Sequence, residues 1–245
     1  MAADLLVDVL NAARTHRSSP AITERRTTIT YGQLLTRVLA TAQRLRGNGF
    51  QAGDRMLFSI RPGVNAIVLA LGTVAAGGRV AFVDPDEQFQ RRIDLINPRW
   101  AAAESILYAA SVPGPLRALA RRRGVILPSY AKLGVRHIRS GRWLPGVPRG
   151  ALSAEKLAEP VCFNEFPVCS PDQDAVVTFT SGTTTFVHTR GSLGAALRTL
   201  ATRRTLATGD QIHTEHLTLG LRALVAGAQW TVTPRRVNRW RQPTT

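Results

Sequence analysis

A chain of 245 residues, 44% of them apolar, has a globular composition and is long enough for one large core or two small ones. Its formal charge of +16 comes almost wholly from arginine, since Lys132 and Lys156 are the only lysines among 32 basic residues. The arginines are spread along an alanine-rich chain rather than gathered on one face, which fits a coding bias better than a nucleic-acid footprint, so a dedicated nucleic-acid role is not expected.

The first fourteen residues read as a short amphipathic helix, with Leu5, Leu6, Val9, Leu10 and Ala13 on one stripe and Asp4 and Asp8 off it. They lack the basic start and unbroken apolar core of a secretory signal. The longest apolar run, Ala66 to Ala76, is far short of the ~20 residues a membrane span needs. A cytoplasmic protein without a membrane span is expected. Cys162 and Cys169, the only cysteines, suit neither a disulfide framework nor a zinc site.

Ala21 to Thr23 and Thr27 to Thr30 read as short strands around the turn Glu24-Arg25-Arg26. Thr30 and Gln33 form a capping box for a helix whose apolar face is Leu34, Leu35, Val38, Leu39, Ala42 and Leu45, stopped at Gly47 or Gly49. A strand at Arg55 to Ile60, a helix at Asn65 to Ala76 and a strand at Arg79 to Val83 then make a βαβ unit, whose strands should pair in parallel through the helical crossover. The alternation continues with a helix at Asp86 to Ile96, a strand at Ser105 to Tyr108, a helix at Pro115 to Arg123 and a strand at Val125 to Leu127. Arg136 to Gly150, basic with several breakers, reads as an exposed loop or linker.

Ala175 to Thr180 is β-branched and aromatic, a buried strand. After it, Ser181, Gly182, Thr183, Thr184 and Thr185 set four hydroxyls around one glycine, and backbone N–H groups beside hydroxyls can surround phosphate oxygens. Such residues also simply make loops. What favours the phosphate cradle is its place between a strand and a helix expected near Ser192, where α/β proteins bind anions. The helix from Leu193 to Leu206 should turn Leu193, Leu197, Leu200 and Ala201 inward and end at Gly209-Asp210. His213-Thr214-Glu215-His216 falls below the ligand count of a zinc site. A helix at Leu217 to Ala226 and a strand at Gln229 to Thr233 follow, then a basic tail, 234–245, with Arg235, Arg236, Arg239 and Arg241 around Trp240.

Thr180-Ser181-Gly182-Thr183-Thr184, followed by His188-Thr189-Arg190-Gly191-Ser192-Leu193, resembles the phosphate-loop signature of the adenylate-forming enzymes, the acyl-CoA synthetases and peptide-synthetase adenylation domains. Thr30-Tyr31-Gly32-Gln33-Leu34, Gly53-Asp54-Arg55, Ala75 to Gly78 and Val83-Asp84-Pro85 resemble the family's earlier landmarks in order and spacing. Two departures fall in the loop: the family's Gly-x-Pro-Lys stretch, with its lysine, is missing after Thr184, and Arg190 stands where the family has a histidine.

The resemblance implies an α/β fold, a layered parallel or mixed sheet flanked by helices, as the incomplete N-terminal domain of an adenylate-forming ligase over residues 1–233. It implies ATP or AMP and magnesium as cofactors, and ATP-dependent activation of a carboxylic acid, a fatty acid by expectation, to an acyl-adenylate and then to acyl-CoA. Nucleotide contact would fall to Thr180, Ser181, Gly182, Thr183 and Thr184, with His188 and Arg190 behind them, and no residue is assigned as catalytic or as a metal ligand. The family's aromatic-Gly-x-Thr-Glu segment, its Thr-Gly-Asp with a hinge beyond, and its C-terminal lysine find no match; Thr208-Gly209-Asp210 reads as a helix-ending turn. The chain is therefore expected to be truncated and inactive alone. Two other readings stay open: a basic binding module whose surface and tail engage an acidic partner or nucleic acid, and one half of a split ligase completed by a complementary fragment.

Overall fold

The structure, a computed structural model, describes residues 2–122, 128–161, 166–180, 184–203 and 206–233. Helix α1 (Leu5–Thr15) opens the chain and buries Leu5, Leu6, Val9, Leu10 and Ala13, the stripe that its periodicity predicts. The hairpin β1 (Pro20–Glu24) and β2 (Thr27–Thr30) leads into α2 (Tyr31–Gly47). Both halves of the capping box are made: Thr30 Oγ1 accepts from the Gln33 amide, and the Thr30 amide donates to Gln33 Oε1. Thr30→Ala should therefore cost about 1 kcal/mol, read as a lower urea midpoint at unchanged slope.

The expected βαβ unit follows as β3 (Arg55–Ser59), α3 (Val64–Ala75) and β4 (Arg79–Phe82), with β3 and β4 parallel. Helices α2 and α3 pack so closely at Gly72 that an added Cβ would lie 2.6 Å from Thr41 Cβ. Next come α4 (Phe89–Ile96), β5 (Trp100–Glu104), α5 (Ser105–Ser111), α6 (Pro115–Arg122), a 3-10 turn at Tyr130–Lys132, β6 (Arg136–Ser140), β7 (Leu152–Ser153) and α7 (Ala154–Leu157). The chain ends its described part with β8 (Asp174–Thr180), β9 (Thr184–Thr189), α8 (Arg190–Arg203), β10 (Gln211–Thr214), α9 (Leu217–Val225) and β11 (Gln229–Val232).

The strands form two sheets. The larger runs β7-β6-β5-β3-β4-β8-β9, parallel except for the antiparallel β8–β9 pair, and the smaller runs β10-β11-β1-β2. One core takes α1, α2, α3 and α9 together with residues of both sheets, among them Ile22, Met56, Trp100 and Trp230. The other face of the large sheet is covered by Phe89, Ile93 and Ile96 of α4, Tyr108 of α5 and Tyr130. This is the α/β architecture of helices on both faces of a mainly parallel sheet.

Three expectations are corrected. Ser105 to Tyr108 is helical; the strand lies just before it, because Asn97 in the left-handed region ends α4 ahead of Pro98 and the chain is extended from Trp100. Alanine's low strand propensity hid Ala101, Ala102 and Ala103, which are fully buried in the sheet. Arg136 to Gly150 is not all linker: its first five residues are β6, paired in parallel with β5 and burying His137 and Ile138. The arginines misled because they reach outward, Arg136 lying over the Trp100 ring and donating to the Asn48 carbonyl. In α8, Leu197 is buried but Leu200 is exposed, since the seam facing the neighbouring helices runs through Arg190, Gly194, Leu197 and Ala201. The strand expected at Val125 to Leu127 and the basic tail lie outside the described residues.

Candidate functional site

Strand β8 joins the large sheet because Val176 and Val177 pair with Val80 and Ala81 of β4. The shift of register between Asp174 and Val176 lets Ala175 and Val176 serve one core while Val177 and Phe179 serve the other. The parallel strands β3, β4, β5, β6 and β8 all end at the same edge of the sheet, and Thr180 is the last residue of β8 there. Thr180 pairs with Thr184 across a hairpin, and Ser181, Gly182 and Thr183 between them lie outside the described residues.

The hairpin corrects the sequence reading of a loop from Ser181 onward. Thr184 and Thr185 already belong to β9, and the helix begins at Arg190 rather than near Ser192. Thr184-Thr185-Phe186-Val187-His188-Thr189 is β-branched and aromatic, and without an intervening glycine or proline it pairs with β8.

The candidate residues are thus separated along the hairpin. Thr180 and Thr184 close its tip, and Thr184 is exposed. His188 lies down the strand, where its Nε2 is 3.0 Å from Thr178 Oγ1. Arg190 is only 2% exposed and is held within the fold. Its Nε donates to Asp4 Oδ1 at 2.9 Å, Nη1 to Gln173 Oε1 at 3.0 Å and Nη2 to the Val168 carbonyl at 3.1 Å, with Nη2 also 2.8 Å from Asp4 Oδ2. Asp4, expected off the buried stripe, is fully buried as the N-cap of α1, accepting from the amides of Leu6, Val7 and Ser170. Arg190 therefore ties α8 to α1 and has little left to give a ligand.

A cation that sequence reasoning missed reaches the hairpin from α4. The Arg92 guanidinium stands 5.5 Å from the ring centroid of Phe179, one residue before the tip strand ends, and Nη1 pairs with Asp86 Oδ2 at 2.9 Å. Its Nε is buried and bonds no acceptor among the described residues. The guanidinium thus brings a positive charge to the penultimate residue of β8, which would suit an anion bound at that end of the strand. No short sequence spacing links residue 92 to residue 179, so only the fold brings them together. Among the described residues no three acidic, histidine or cysteine side chains converge.

The family model described as AMP-binding enzyme matches residues 9–241. The chain belongs to the AMP-binding enzyme family. Among AMP-binding enzymes of known structure, it is similar to the AMPPNP-bound form of the nonribosomal peptide synthetase FmoA3, with a TM-score of 0.70, 20% identity, and coverage of 96% of this chain and 23% of that one. It is similar to a Mycobacterium tuberculosis fatty acyl CoA synthetase at TM-score 0.70 and 16% identity, covering 94% of this chain and 45% of the other. A putative long-chain-fatty-acid CoA ligase from Rhodopseudomonas palustris gives 0.72 and 17%, with 95% and 57% covered. The chain thus spans less than two thirds of each of these structures. No curated protein matches it. Among the described residues no helix is long and apolar enough to cross a membrane.

Proposed function

We propose that this chain holds the phosphate groups of ATP or AMP at the tip of the β8–β9 hairpin, as the phosphate-binding portion of an adenylate-forming ligase. The observation that supports the reading is the place of the hairpin, at the carboxyl end of a parallel strand with the Arg92 guanidinium 5.5 Å from the Phe179 ring. Thr180, Ser181, Gly182, Thr183 and Thr184 contact phosphate oxygens, Arg92 neutralises part of their charge, and His188 steadies the hairpin through Thr178. Arg190 serves the fold.

The ligase reaction joins a carboxylate to the α-phosphorus of ATP with release of pyrophosphate, and then passes the acyl group from the adenylate to the thiol of CoA with release of AMP. The acid is a fatty acid in this reading, in keeping with the acyl-CoA synthetases among the similar structures. Such chemistry is mostly positioning and charge neutralisation, and removing one preorganised donor costs ~10² to 10³ in rate. The missing Gly-x-Pro-Lys stretch removes the loop cation, so the chain alone binds nucleotide without turning it over.

The test pairs two measurements. Calorimetric titration with ATP should show binding that weakens roughly tenfold or more in Arg92→Gln, the loss expected for one hydrogen bond to a charged group. Pyrophosphate release with a panel of fatty acids should not exceed an acid-free control. Absence of ATP binding, or binding indifferent to Arg92, overturns the phosphate site; acid-dependent release overturns the inactive reading. A second reading, half of a split ligase, is favoured by Phe186 and Val187, 49% and 48% exposed on β9 at the open edge of the large sheet. Its mark is acid-dependent pyrophosphate release that appears only when a complementary fragment is co-expressed.

A further inference from the structure

Away from the hairpin, four arginines line two neighbouring depressions. Arg17 and Arg37 line an open depression of about 470 Å³ with Thr30 and Gln33, and Arg25, Arg26 and Arg37 line a second of about 550 Å³ with Thr27 and Glu24. Arg37, on α2, is common to both. Six other arginines, Arg61, Arg79, Arg92, Arg99, Arg190 and Arg198, face carboxylates. None of these four makes an ion pair or a side-chain hydrogen bond among the described residues. Glu24, the one acid among the described lining residues, is turned to the start of α3, where Oε2 accepts the Val64 amide at 2.8 Å.

The two depressions flank a sheet edge. Strand β2 is the outermost strand of the small sheet and pairs only with β1 among the described residues. Thr27 and Thr30, its first and last residues, each line one of the depressions, and Thr27 and Thr28 are exposed. A strand edge offers backbone donors and acceptors to another chain; at 3.3–3.4 Å per residue β2 is about 13 Å long, with the Thr30 amide at its end already taken by Gln33 Oε1.

We propose that this edge receives an extended acidic segment of a partner protein, added beside β2 as a further strand. The backbone of the segment pairs with β2, and its carboxylates are met by Arg25 and Arg26 at one end, Arg17 at the other and Arg37 between. Addition of a strand gives affinity through main-chain bonds, and side-chain charge sets the choice of partner. No aromatic ring is among the described residues lining either depression, which leaves a nucleobase nothing to stack on.

The test uses the full chain and a short fluorescent peptide of alternating glutamate and valine, followed by anisotropy. Binding should saturate, weaken roughly tenfold or more between about 50 and about 300 mM NaCl, and fall by at least the same factor in Arg25→Glu/Arg26→Glu/Arg37→Glu. The same peptide N-methylated at alternate residues keeps its charge and loses its donors, and should bind at least tenfold more weakly if strand pairing is the mode. Arg25→Glu/Arg26→Glu, confined to exposed turn residues, gives a reading free of any folding defect at Arg37. Failure of the parent peptide to bind, equal binding of the N-methylated peptide, or displacement by inorganic polyphosphate or duplex DNA at lower concentration would each overturn the proposal.

Discussion

Arg190→Ala should destabilise the fold by about 3–5 kcal/mol, the cost of leaving a buried carboxylate without its cation. Asp4 is fully buried, and the guanidinium that faces it is 3% exposed, so water cannot replace the lost partner. With total stabilities of 5–15 kcal/mol typical of single domains, about 4 kcal/mol is enough to shift the urea midpoint by more than 1 M. Asp4→Asn keeps a capping side chain for the amides of Leu6 and Val7 and removes the charge. Combined as Asp4→Asn/Arg190→Gln, the pair should lose less than the two single changes together, since neither charge is then left alone.

The pH dependence has a defined sign. Burial by itself raises the carboxyl pKa of Asp4, but the hydrogen bond from Arg190 and those from the Val7 and Ser170 amides outweigh it and hold the value below the ordinary 3.8. On acidification the unfolded chain therefore takes up the proton first. The stability contributed by Asp4 is complete above about pH 3.8 and drains as pH falls through the depressed folded value. Urea melts at neutral pH and at steps down to pH 3 should show wild type losing its advantage over Asp4→Asn only in the acid steps. An advantage independent of pH would mean that the carboxylate is not the group that matters.

Trp230→Ala should cost a similar amount, about 3–5 kcal/mol, through the cavity it leaves. The indole is fully buried between the small sheet and α9, and its Nε1 donates to the Thr214 carbonyl at 3.0 Å. The packing is close enough to specify its partner. A Cβ added at Gly220 of α9 would lie 2.0 Å from Trp230 Cε2, an overlap that one rotamer change in a buried ring cannot relieve. Helix propensity alone would make Gly220→Ala stabilising by up to about 1 kcal/mol. Overpacking should win, giving a net loss of about 1–3 kcal/mol, and Gly220→Ala/Trp230→Phe should recover part of it by returning space. Urea midpoints decide the sign: a more stable Gly220→Ala would show that α9 stands further from the sheet than these contacts indicate.

How much of this was legible depended on how local the signal is. The stripe of α1, the capping box of α2 and the βαβ unit are written in neighbouring residues, and the bounds of α2 and of the βαβ elements fall within a residue or two of the expectation, whereas α1 starts at Leu5 rather than at the chain's first residues. Strand β5 was not, because alanine carries no strand preference and only the flanking sheet makes it extended. Strand β6 was hidden by arginines whose stems cross the sheet edge while their charges leave it. At the candidate site the hydroxyls could be read from composition, whereas the contact of Arg92 with Phe179 and the ion pair of Arg190 with Asp4 join residues far apart in the chain. Arg190 looked available to a ligand because its counter-charge stands 186 positions earlier.

Strand β1 pairs in parallel with β11, Ile22 opposite Trp230, so the small sheet is closed by the two ends of the described chain. The Tyr31 hydroxyl adds a bond to the Ala228 carbonyl, 197 positions away. During synthesis on the ribosome, β1 and β2 would emerge first and could only wait as an isolated hairpin, which is marginal in water. At 5–20 residues per second, roughly 10 to 40 s separate their appearance from that of β11. Through that interval the apolar faces of α1 and of the hairpin are uncovered, and the small sheet would be a late, chaperone-dependent step of biogenesis while the local βαβ unit of the large sheet is an early one.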